Sequence, residues 1–395
     1  MLGRAQDRRP RQTAPLGSHG IDCTELDEVP PPAAAALPQA DALSDGWVMT
    51  TTLNDVAQAA GVSRSTASRA LSGSPLVSAA TRAQVEQTAE RLGYRINRMA
   101  SALRSRQSRL IGLVLNNLIN ASFHTIAEVV QRRAVDNGYQ VLLCITDADP
   151  RRERSLLNML ADHNVDGLII IGSSEHAATT NRMLAAGTGI VNVIRAPSDS
   201  AAPSVLAADR DGAYEATAYL VGLGHQRIGF IGGPEETNSG RERFSGYAAA
   251  LREGDIIPDP RMIQRGPFDP GFGVSALGAL VDTCPDMTAL FVANHEAAFG
   301  VLPALVARGV QVPDDLSLIC HEDIPWLSWW HPPVSVVDNG PRELGELAMD
   351  LLLQQMGRHA NSPAITEARS GRAYRVGAQL IVRSSCQAVT TALAR

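Results

Sequence analysis

Seven residues, "SRSTASR" from Ser63 to Arg69, gather four hydroxyls and two guanidiniums on a stretch short enough to be a single helix. That combination suits a nucleic-acid groove: short hydroxyls reach phosphate oxygens, and an arginine can fork onto O6 and N7 of guanine. Ser and Thr compete for backbone groups with their own side chains, so a helix of this composition has to be held by its neighbours. The flanking stretches "TLNDVAQAA" and "TRAQVEQTAERLGY" carry apolar residues at helical spacing.

Three short helices follow from these signals. Thr52 can cap the first, with Val56, Ala57 and Ala60 facing inward, and Gly61 ends it. Ser63 can cap the second, whose apolar side is Ala67, Ala70 and Leu71. The third runs from about Ala79 to Leu92, with Val85, Ala89 and Leu92 on one face. The arrangement is that of a helix-turn-helix whose second helix crosses the major groove. On local pattern alone, a short surface helix in an all-α subdomain stays open as the alternative.

The charge distribution points the same way. Between Thr51 and Arg109 nine arginines face only Asp55, Glu86 and Glu90, in a chain whose formal net charge is −6. A compact basic head on an acidic body is the pattern of a segment that meets nucleic acid, although a solvated basic face gives the same count. All 35 basic residues are Arg, which reads as a compositional bias of the source.

The remaining composition excludes several classes. No run approaches the roughly 18 apolar residues of a membrane span. The five cysteines, Cys23, Cys144, Cys284, Cys320 and Cys386, are scattered and unpaired in spacing, which argues against a disulfide framework or zinc site and for a reducing cytoplasm. There is no GxGxxG opening a βαβ unit, no Walker loop, no GxSxG and no HExxH, and the nine histidines lack metal-ligand spacing. No enzyme, cofactor or metal is therefore expected. An exported binding protein would need a signal, and "RRPRQ" leads into no apolar region.

Residues 1–48 are rich in Ala, Pro and Asp without periodicity and read as a disordered extension, with Met49 an alternative start. After Arg109 short β-branched runs such as "LIGLVLN", "VDGLIII", "RIGFIGG" and "LSLIC" alternate with amphipathic helices, the βαβ rhythm of open, doubly wound sheets. The length suits two such lobes. Ligands of open α/β sheets settle beyond the carboxyl ends of the strands.

The whole stretch from "TLNDVAQAAGVSRSTASRAL" to "NRMASALR", with "VDGLIIIG", "LGHQRIGFIGGP", "RERFSGY", "VPDDLSLI" and "LIVRSS" further on, resembles the lactose-repressor (LacI-type) family of bacterial regulators over roughly residues 50–385. The resemblance implies an all-α helix-turn-helix headpiece over 49–96, a hinge helix over 97–108, and an α/β periplasmic-binding-protein-like effector and dimerisation domain over 109–386, with a tail at 387–395. It implies lobe 1 from 109–208 and 313–338, lobe 2 from 209–312 and 339–386, and crossings near Ala208, Val312 and Val337.

It also implies the sites and partners. Arg64, Ser65 and Arg69 match base-reading positions, while Ser63, Thr66 and Ser68 match phosphate and packing positions; Thr52, Asn97 and Arg98 complete the DNA set. Leu103 matches a leucine that wedges into the minor groove, in a helix of eight residues that needs DNA and a partner subunit to form. Ala67 stands where the family more often has Val. Phe123 and Phe268 match aromatic walls of the effector pocket, and Arg243 matches its anchoring arginine. The implied function is a homodimeric, cytoplasmic repressor of a palindromic operator, with no membrane partner, controlled by a sugar or sugar-derived effector. A small-molecule-binding or DNA-architectural protein without effector response is the alternative.

Two departures bear on the ligand: His295 replaces a family Asp, and "LINASF" alters an Asp-x-x-Asn-Pro-Phe stretch. Losing a carboxylate beside Arg243, with Arg195 and Arg241 near the same space, favours an anionic effector. Two plainer arrangements stand equally beside it, Glu296 taking the acid's place or Arg195 and Arg241 engaged outside the pocket.

Overall fold

The computed structural model describes residues 51–94, 107–173, 175–358 and 371–389, in two compact units that divide after Arg95. Residues 1–48, the hinge residues 97–106 with Asn97, Arg98 and Leu103, and tail residues 390–395 lie outside the described residues.

The first unit contains α1 (Leu53–Ala59), α2 (Arg64–Leu71) and α3 (Ala79–Arg91). Thr52 and Asp55 form a reciprocal cap: the Thr52 N–H donates to the Asp55 carboxylate at 2.7 Å, and the Asp55 N–H donates to the Thr52 hydroxyl at 3.4 Å. Gly61, at φ 63°, takes the left-handed conformation that turns the chain from α1 towards α2. Ser63 and Ser78 cap the next two helices. The core is small, made of Val56, Ala57, Ala60, Ala67, Ala70, Val85 and Ala89. Alanines on the inner side of α2 let it lie close to both neighbours, so packing supplies what its Ser-rich sequence lacks.

In the second unit the chain first builds β1 (Leu110–Leu115), α4 (Ala121–Asp136), β2 (Gln140–Ile145), α5 (Pro150–Asp162), β3 (Gly167–Ile170), α6 (Ala177–Ala185), β4 (Gly189–Val193) and β5 (Ser204–Ala207). It continues with α7 (Asp209–Gly222), β6 (Ile228–Gly232), α8 (Asn238–Glu253), β7 (Ile263–Arg265), α9 (Pro270–Thr283), β8 (Ala289–Val292), α10 (His295–Ala307), β9 (Ser317–His321), α11 (Pro325–Trp329) and β10 (Ser335–Asp338). The last elements are α12 (Pro341–Arg358), β11 (Ala373–Val376) and β12 (Gln379–Ile381).

These strands form two six-stranded sheets, ordered β11-β5-β4-β3-β1-β2 and β12-β10-β9-β8-β6-β7. Every pairing is parallel except that of β12 with β10. Strands β1, β3, β4, β6, β8 and β9 are buried almost throughout, as their β-branched sequences require when helices cover both faces.

The division between lobes differs from the expected one. Residues 313–338 belong to the second lobe, because Leu318 of β9 pairs with Leu290 of β8 and Val336 of β10 pairs with Cys320 of β9. Residues 341–358 return to the first lobe, where Leu344, Ala348, Met349 and Leu352 of α12 join the core of Ile111, Leu113, Ile169 and Val191. Gly167 and Gly189 admit that helix: a Cβ on Gly167 would stand 2.7 Å from the Met356 sulfur, and one on Gly189 3.2 Å from Leu352. The chain therefore crosses at Ala208, at 339–340 and at 377–378, and does not cross at Val312.

Candidate DNA-reading helix and effector cleft

On α2 the side chains of Arg64, Ser65 and Arg69 are exposed, while Ala67 and Ala70 are buried. Spacing of one, four and five residues puts Arg64, Ser65, Ser68 and Arg69 on one face. The Ser63 hydroxyl is committed to the helix, accepting from the Thr66 N–H at 3.1 Å and lying 2.8 Å from the Thr66 hydroxyl. Thr52 is likewise occupied, its hydroxyl 2.8 Å from Asp55. Among the described residues no acidic side chain pairs with Arg64 or Arg69, so two guanidiniums face outward uncompensated.

The second unit brings the carboxyl ends of its two sheets towards each other. Arg243 on α8 is 3 % exposed and donates from Nε to Asp209 at 2.8 Å, from Nη1 to the Ala293 carbonyl at 2.8 Å and from Nη2 to Glu322 at 3.1 Å. Asp209 follows β5, Ala293 follows β8 and Glu322 follows β9, so three strand ends meet at one guanidinium. His295, fully buried at the start of α10, bonds Glu322 through Nδ1.

Burial alone would raise the Asp209 and Glu322 carboxyls, yet both lie below the ordinary carboxylate value. Arg243 is the main cause at Asp209, with His321 second; His295 and then Arg243 act on Glu322. His321, whose Nε2 is 3.2 Å from Asp209, is pushed down by burial and by Arg243. Glu296 is raised, by burial and by the charge of Glu322.

Contacts between lobes run along the same cleft. The Asn120 amide donates to Glu296 at 3.2 Å, and Asn238 donates to the Ile194 carbonyl at 2.9 Å. The Ala121 N–H points at His295 Nε2 at 3.5 Å. Arg195 lies in the first lobe beyond β4, donating to the Gly172 carbonyl at 3.4 Å; with the Asn116 amide turned to satisfy both of its ends, its oxygen accepts from Arg195 at 2.7 Å. No group of His, Cys, Asp and Glu among the described residues is placed to hold a metal ion.

A model of "Bacterial regulatory proteins, lacI family" matches residues 52–97, and one of a "Periplasmic binding protein-like domain" matches 217–386. The HTH-type transcriptional repressor PurR of Vibrio atlanticus (strain LGP32) is 30 % identical over 307 residues, which span 77 % of this chain and 92 % of that protein. The chain belongs to the lacI family of bacterial regulatory proteins. Among solved structures, the Lac repressor dimer bound to operator and the anti-inducer ONPF aligns with a TM-score of 0.73 at 27 % identity, covering 86 % of this chain and 99 % of that one. A complex of the transcriptional regulator CelR with cellobiose aligns with a TM-score of 0.63 at 26 % identity, covering 85 % and 99 %. As a lacI-family member the chain is a DNA-binding transcriptional regulator.

Within the lacI-family frame, the five expected effector residues do not converge equally. Arg243 and His295 meet through Glu322. Phe123 sits in the first turn of α4 and is 5 % exposed, packed into the first lobe's core. Phe268 lies beyond β7, its ring so close to Gly233 that a Cβ there would stand 2.2 Å away. Arg195 is on the first-lobe wall.

Arg241 does not share that space: it is exposed and donates to the carbonyls of Glu235 and Glu236 at 3.0 and 2.9 Å. The cleft keeps carboxylates despite His295: Asp209 and Glu322 pair with Arg243, and Glu296 adds a third beside Asn120. Asp209, Glu322 and Asn120 carry no sequence motif of their own. The signal that finds them is their place immediately after a strand or at a helix N-cap.

Proposed function

We propose that this regulator is a homodimeric repressor that grips a palindromic operator through the exposed face of α2, with operator affinity set by a small neutral polyhydroxy ligand in the cleft. The observation that carries the ligand class is the compensation of Arg243 by Asp209 and Glu322. Carboxylates accept from ligand hydroxyls and the remaining guanidinium N–H groups donate to them, whereas a phosphate or carboxylate ligand would be repelled by Asp209, Glu322 and Glu296. Because the ligand's partners sit on both lobes, binding favours one lobe arrangement over another, which is the requirement for coupling to DNA. The cellobiose complex of the related CelR supports a neutral sugar.

The test joins two measurements. Genomic fragments retained by the purified protein are sequenced, and thermal shifts are recorded with neutral sugars, their phosphates and their acids. An enriched palindromic site whose retention changes with a stabilising neutral sugar is the expected result. Stabilisation by phosphorylated or acidic sugars alone would overturn the ligand class, and the absence of any enriched sequence would overturn operator recognition.

A further inference from the structure

On α8, residues 241, 242 and 245 lie within an arc of about 100°, and Arg243 lies on the opposite side. The outer face opens on a cavity of about 320 Å³ lined by Arg210, Asp211, Arg241, Glu242, Ser245 and Arg375 together with Ala208. This space is separate from the cleft, and it spans the lobes. Arg375 comes from β11 at the edge of the first lobe and donates to both carboxylate oxygens of Glu242 in the second, at 2.8 Å each.

The cavity carries three guanidiniums against the two carboxylates of Asp211 and Glu242. Glu242 is committed to Arg375. Arg241 gives Nη1 to two backbone carbonyls and bonds no acid, and the Arg210 side chain has no hydrogen bond or ion pair among the described residues. Ala208 offers no side-chain cap to α7, and the acidic residues of that helix's first turn are Asp209, which is spent on Arg243 and His321, and Asp211, which lines the cavity. The volume is at the small end of ligand sites, enough for a phosphate group carrying a few heavy atoms.

We propose that this pocket is a second ligand site, for a small phosphate-bearing anion held between Arg210, Arg241 and Arg375. Such an anion ties a charge from the first lobe to two from the second, so its binding depends on how the lobes are set. The proposal does not rest on the sugar cleft or on the operator.

Calorimetric titration of the full chain, without DNA and at matched ionic strength, tests it with two probes, inorganic phosphate and glycerol 3-phosphate. Saturable binding of either is expected; the tighter probe identifies the ligand as free phosphate or an organic monoester. The surface variant Arg210→Gln/Arg241→Gln weakens it by about tenfold, the effect of losing charge-assisted hydrogen bonds. Glu242→Gln strengthens it, since the carboxylate competing for Arg375 is gone. A response that chloride reproduces, or an affinity unchanged in Arg210→Gln/Arg241→Gln, overturns the proposal; the second result would place phosphate elsewhere, the basic headpiece included.

Discussion

Arg64 stands exposed in the first turn of α2 with no acidic partner among the described residues, so its fork is available to a base edge rather than spent on the protein. Replacing it with Ala is expected to relax operator preference at one base pair by about 1–3 kcal/mol while non-specific binding falls only slightly. Competition binding against single-base operator variants reads this; an equal loss across all sequences would make Arg64 a phosphate contact. Asp209 poses the reverse case, a carboxylate with nowhere to go but Arg243 and His321. Asp209→Asn leaves a buried guanidinium half-compensated and is expected to cost about 3–5 kcal/mol in urea unfolding of the second unit. The sign of the pH dependence follows from its lowered folded-state value. The folded chain binds fewer protons here than the unfolded chain, so the stabilisation is whole above about pH 4 and fades as the pH falls through the folded value. Urea midpoints compared between pH 7 and pH 3 should fall for the parent chain and fall less for Asp209→Asn.

At the scale of elements, helix starts were legible because capping is local: Thr52 and Ser63 announce themselves within three residues of the N–H groups they satisfy. The strands were legible for a similar reason, since a run like "GLVL" can only be buried. Lobe membership was not. Whether "LSLIC" joins the first or the second sheet is decided by its pairing with β8, a choice that nothing in its own five residues expresses. The acids of the cleft escaped for the same reason, because a single Glu after a strand has no periodicity. Close helix approach is another nonlocal feature. A Cβ on Gly300 of α10 would stand 1.9 Å from the Pro270 carbonyl of α9, and one on Gly273 of α9 2.1 Å from the Ala297 carbonyl. Gly300→Ala is thus expected to force the pair apart and lose about 1–3 kcal/mol in a thermal melt. Gly222→Ala, with open space around it, should leave the melt unchanged or raise it slightly.

Across the whole second unit, the lobes are held in register by few polar contacts among the described residues, and Asn120 makes one of them while also capping a helix. Its side-chain oxygen caps α4 through the Ser122 and Phe123 N–H groups, while its amide donates across the cleft to Glu296. Asn120→Asp keeps the cap and sets a carboxylate against Glu296, whose own carboxyl is already raised by burial and by Glu322. Two carboxylates in such a site share a proton on acidification and repel at neutral pH. Small-angle scattering should report a more open second unit than the parent at pH 7.5, recovering towards the parent's radius near pH 5. An unchanged radius at both values would show that Asn120 does not set the lobe spacing.

The late return of the chain has a consequence for biogenesis. The first sheet takes its outer strand from 373–376 and the second from 379–381, and the first lobe's core waits for α12. The first lobe cannot finish folding on the ribosome until residue 376 has emerged, nor the second until residue 381, whereas the three helices of residues 53–91 emerge much earlier and share a core of their own. A nascent chain accordingly passes through a long interval in which a folded DNA-reading head precedes lobes whose strand edges are still unpaired. During that interval the exposed edges, rather than the head, are what chaperones have to cover.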